Sequence, residues 1–99
     1  LYTWIGFPES DREVEIVRSR LPEVGPALAN QVVGAVNRLR AMDLEKLPGV
    51  AETIDWTESV SALGSNSLTA EIALDTLGAV VKDRDDLEYA SRNIQDVIS

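Results

Sequence analysis

The chain contains no cysteine and no histidine. The first absence removes disulfides and thiolate metal sites, and the second removes imidazole ligands. Together they exclude Cys and His nucleophiles and any serine triad that relies on a histidine base. The lack of cysteine fits a reducing, cytoplasmic setting. Basic residues are scarce: 9 Lys and Arg against 17 Asp and Glu leave a net charge of −8. Nucleic-acid backbones are bound by clustered Lys and Arg. Here Arg38, Arg40 and Lys46 have Asp43 and Glu45 between them, so no nucleic-acid partner is expected. No apolar run approaches the roughly 18 residues of a membrane span. Leu1 to Phe7 lacks the basic flank and small-residue cleavage site of a signal peptide. Neither a G-x-x-x-x-G-K-[ST] nor a G-x-G-x-x-G phosphate loop is present. No nucleophile–base set can be assembled, so the chain is expected to catalyse nothing on its own.

What the sequence does contain is ordinary globular material, 44% hydrophobic and 26% charged over 99 residues. That is one domain. Leu1 to Phe7 is aromatic and apolar on both faces and stops at Pro8, as a β-strand would. No later segment offers it a partner strand. The expectation is a strand or linker over residues 1–8, left from a missing sheet, followed by an all-α domain over residues 9–99.

Five helices are expected in that domain. Ser10 is placed to cap the first, from Asp11 to Leu21, with Val14, Val17 and Leu21 as its stripe. Asp11 and Glu13 open it and Arg18 and Arg20 close it, the favourable order for the helix dipole. Pro26 suits the first position of the second helix, Pro26 to Met42. There Leu28, Val32, Val33, Val36 and Leu39 recur at steps of three and four, and Asn37, Arg38 and Arg40 point elsewhere. Asp43 to Gly49 forms a loop. The third helix spans Ala51 to Leu63 and ends at Gly64. Thr69 caps a fourth that reaches Lys82. A fifth follows Asp83–Asp86 and carries Leu87, Ala90, Ile94 and Val97. Such elements make a small helical bundle.

Carboxylates are the only abundant reactive groups. The densest are Glu13 with Glu15, and Asp83 with Asp85 and Asp86. Acid–base catalysis needs two carboxyls in unlike environments within a cleft. A calcium loop needs a glycine turn that Lys82 to Asp86 lacks. Both groups therefore read as solvated helix starts. Trp4 and Trp56 read as core or interface packing, not as a ligand stack. Ser65 and Ser67 read as loop and capping residues.

One stretch goes beyond generic pattern. Leu39-Arg40, then Lys46-Leu47-Pro48-Gly49, then Glu52-Thr53 and Asp55-Trp56 resemble the C-terminal part of MoxR-like AAA+ ATPases, most closely the CoxD-type subgroup. Leu1 to Pro8 is similar to the strand leaving the ATPase core, and Thr76-Leu77-Gly78 through Lys82 to a later helix of that family. The resemblance implies a helical lid over the adenine side of a nucleotide site. A missing core would supply the phosphate loop, and ATP and Mg²⁺ would bind the whole protein, not this segment alone. It implies rings, commonly hexamers, with neighbouring subunits as partners, and a von Willebrand A domain protein alongside in metalloenzyme maturation. The nucleotide-facing residues it implies are Lys46, Gly49, Glu52 and Thr53. The family's γ-phosphate-sensing Arg has no counterpart near Val50. The alternative class is a free-standing, acidic, helical protein–protein interaction domain.

Overall fold

The structure, a computed structural model, describes residues 7–98. The strand expected over Leu1 to Phe7 lies almost wholly outside them. The described residues form an all-α bundle: α1 (Ser10–Arg20), α2 (Pro26–Arg40), α3 (Val50–Ala62), α4 (Ala70–Thr76), a 3₁₀ turn (Leu77–Ala79), α5 (Arg84–Arg92) and α6 (Ile94–Ile98).

Helix α2 is the centre. Pro26 opens it with φ already set for a helix. Its apolar period then buries Leu28, Ala29, Val32, Val33, Ala35, Val36 and Leu39. Residues on so much of its circumference can be buried only if several elements surround it. Helices α1, α3 and α6 do so, and α4 closes the bundle against α3 and α6. Trp56 of α3 is wholly buried, and its indole N–H donates to the Thr76 hydroxyl at 2.7 Å.

Helix ends follow local chemistry. The Thr69 hydroxyl accepts from the Ile72 amide and starts α4. The Asp83 carboxylate accepts from the amides of Asp85 and Asp86 and starts α5. Gly64 takes the left-handed conformation, φ 79°, just past α3, where a side chain would be strained.

Three expectations are corrected. Ser10 does not cap α1; Glu9 holds that position. The Ser10 hydroxyl instead accepts from Asn37 Nδ2 across to α2. The fourth helix does not run to Lys82. Its α-helix ends at Thr76, whose hydroxyl donates to the Ile72 carbonyl and competes with the helical ladder. Gly78, a poor helix former, then sits in the 3₁₀ turn. The fifth helix is two, because Asn93 leaves helical geometry and its side-chain amide donates to the Tyr89 carbonyl.

Candidate functional site

The loop from Ala41 to Gly49 leaves α2 and enters α3, and side chains from outside it tie it at two points. Near its middle, the two oxygens of Asp86 accept the backbone N–H groups of Glu45 (2.8 Å) and Lys46 (2.9 Å). Asp86 is 4% exposed. The solvated helix-start reading therefore fails for this residue: its carboxylate faces inward from α5 and is matched by two loop donors. Pro48 is held from the other side, where Arg40 Nε donates to its carbonyl at 2.8 Å.

Arg40 is the second correction at this site. It does not point away from the core. Its Nη1 and Nη2 donate to the two oxygens of Glu13 at 2.8 and 2.9 Å, and Nη1 also donates to Asn37 Oδ1. The Glu13 side chain is wholly buried, so this carboxylate is not a solvated helix start either. The Thr53 hydroxyl donates to Glu13 Oε2 at 2.7 Å. Phe7 covers the guanidinium face, its ring centroid 4.2 Å away. A buried ion pair persists only where its remaining lone pairs and protons are matched. That condition is met: among the described residues no buried side-chain polar atom lacks a partner. The network joins α1, α2, α3 and the loop at one point.

At the start of α3, Glu52 reaches back and its Oε1 accepts from the Gly49 amide at 2.8 Å. This carboxylate covers one of the free N–H groups that any helix start carries. A Cβ at position 49 would stand 3.3 Å from that oxygen, so a larger residue there would need Glu52 to shift by a few tenths of an ångström.

The four residues implied by the resemblance thus divide. Lys46 is exposed and Glu52 half-buried, and both line a cavity of about 170 Å³ with Leu47, Pro48, Val80 and Lys82. Gly49 stands beside it with its amide taken by Glu52. Thr53 is buried behind the loop, its hydroxyl spent on Glu13. Lys82 was not among them, and it lines the cavity from the segment between the 3₁₀ turn and α5. No group of His, Cys, Asp or Glu among the described residues is arranged to hold a metal ion. No helix among them is long and apolar enough to cross a membrane.

The Asp86 clamp has a measurable consequence. Asp86→Asn keeps one acceptor oxygen and replaces the other with a donor that faces an N–H. We expect a loss of about 1.5–3 kcal/mol, the range for a hydrogen bond to a charged group. Amide hydrogen exchange should accelerate at Glu45 and Lys46 more than in α2. Unchanged exchange at both amides would show that the loop is held without Asp86.

Comparison with protein families, with curated proteins and with solved structures finds no match for this chain.

Proposed function

We propose that the chain is the helical lid subdomain of a MoxR-like AAA+ ATPase, which covers a nucleotide bound to a separate core and couples its hydrolysis to remodelling of a partner protein. The support is the ordered set of sequence features from Leu39 to Trp56, together with a bundle of suitable class. The observation that carries the reading is the loop: its Lys46-Leu47-Pro48-Gly49 segment is fixed from two sides by Asp86 and Arg40, and Lys46 is left exposed beside a cavity. A fixed loop that presents a cation suits a surface that closes over phosphates. The catalytic machinery, the Mg²⁺ ligands and ATP hydrolysis belong to the core in this reading. Ring neighbours and a von Willebrand A domain protein are the partners it implies.

The coding sequence upstream of Leu1 tests the class directly. The reading requires a G-x-x-x-x-G-K-[ST] segment there, and an upstream region without one replaces it with a helical interaction domain. In the protein that joins this segment to such a core, Lys46→Ala should weaken nucleotide binding by about 1.5–3 kcal/mol, as for loss of a hydrogen bond to a charged group. Folding stability should change by no more than about 0.5 kcal/mol, as is usual for an exposed site. Fluorescent-nucleotide titration beside thermal melting separates the two quantities. Unchanged affinity and unchanged hydrolysis would remove Lys46 from the nucleotide site.

A further inference from the structure

Lys46 and Lys82 are the only two lysines in the sequence, and both line the same cavity. Among the described residues neither ammonium has a hydrogen-bond or ion-pair partner. Three nearby carboxylates are in a different condition. Glu52 is engaged by the Gly49 amide, Asp83 by the amides of Asp85 and Asp86, and Asp86 by the loop amides of Glu45 and Lys46. Backbone donors and helix N-termini offset part of each negative charge. Among the described residues, Glu52 alone brings a negative charge to the lining that the two lysines share.

We propose that this cavity is an anion site in which Lys46 and Lys82 grip a phosphoryl group from two segments, with a polyphosphate chain as the ligand class. Lysine acts on phosphate as a point charge and makes no demand for planar geometry. A phosphoryl group has several oxygens and can engage both ammoniums at once, where a single carboxylate has fewer directions to offer. Leu47, Pro48 and Val80 supply the apolar part of the lining. A volume of about 170 Å³ leaves room for a phosphoryl group between the two lysines. Glu52 lines the same cavity, and its charge opposes the incoming anion. The proposal deepens the lid reading and rests on it for the source of the phosphoryl group, a nucleotide held by the core. The binding itself is testable without that core.

The experiment titrates the 99-residue chain with inorganic tripolyphosphate at about 0.1 M salt, where charges beyond about 10 Å are screened, and follows ¹H–¹⁵N NMR shifts. Saturable shifts are expected at Lys46, Leu47, Gly49 and Lys82. Lys46→Ala and Lys82→Ala should each weaken affinity about tenfold, equivalent to about 1.4 kcal/mol. Glu52→Gln should tighten it several-fold, since the amide oxygen still accepts from Gly49 while the opposing charge is gone. Circular dichroism of each variant guards against misfolding. The site is overturned by the absence of saturable shifts, by wild-type affinity in Lys82→Ala, or by an equal loss in Arg12→Ala, which would mean diffuse surface charge. Binding in the expected pattern without an upstream phosphate loop keeps the anion site and sinks the lid reading. A phosphate loop without binding does the reverse.

Discussion

Arg40→Ala should destabilise the fold by about 3–5 kcal/mol, because it leaves the Glu13 carboxylate buried and uncompensated. Glu13 has no exposed side-chain surface, and the guanidinium supplies three of the hydrogen bonds that its two oxygens and Asn37 receive. The same change frees the Pro48 carbonyl and uncovers one face of Phe7. A small domain holds only about 5–15 kcal/mol in total, so this variant should lose a large fraction of its stability. Glu13→Ala should act nearly as strongly, with the guanidinium as the stranded charge. The combined Glu13→Leu and Arg40→Met variant should recover much of the loss, since paired replacement of a buried ion pair by apolar groups is often neutral or better. Urea melts of the native chain and the three variants compare these losses directly. A cost below about 1 kcal/mol for Arg40→Ala would place the pair among weak surface bridges.

Trp56→Ala should cost a similar amount, about 3–5 kcal/mol, the range for large-to-small changes of buried aromatics. Trp56 is among the largest wholly buried side chains and sits where α3 faces α4 and the 3₁₀ turn. Its N–H bond to Thr76 is lost as well. Trp56→Phe should cost less, because it retains a ring in the space and because Thr76 keeps its bond to the Ile72 carbonyl. Guanidinium unfolding followed by circular dichroism separates these cases. A midpoint for Trp56→Ala equal to that of the native chain would mean that α3 packs without its aromatic anchor.

The helical parts of this fold were legible because their cause is local. The period in Leu28, Val32, Val36 and Leu39 needs nothing beyond the helix geometry to be recognised, and Thr69 and Gly64 act on their immediate neighbours. The breaks at Thr76 and Asn93 were missed because there a side chain competes with the ladder for one carbonyl. Such competition leaves no periodic trace.

The polar core was missed for a different reason. Charged residues were assigned to solvent, yet Glu13 lies four residues before Val17 and eight before Leu21, and Arg40 lies four after Val36 and seven after Val33. Each therefore stands on its helix's own apolar stripe. One acid and one base on the inward faces of neighbouring helices was the available signal for a buried pair. At the candidate site, Lys46, Gly49, Glu52 and Thr53 were named because one short segment carries the resemblance; of these, Lys46 and Glu52 line the cavity. Lys82 and Asp86 reach the loop only through the tertiary fold, and nothing in their own neighbourhood announces it.

The Glu13–Arg40–Thr53 knot also sets the evolutionary freedom of the chain. A single change that removes the charge at position 13 or 40 strands the other, whereas a joint change to two apolar residues does not. Sequences descended from a common ancestor should therefore keep positions 13 and 40 both ionic or both apolar and rarely mixed. Position 53 should follow them, with a hydroxyl where the acid is retained and a small apolar residue where it is not. The intermediate of such an exchange would be the least stable member of the lineage, so passage between the two states should be rare and should occur against a background of other stabilising substitutions.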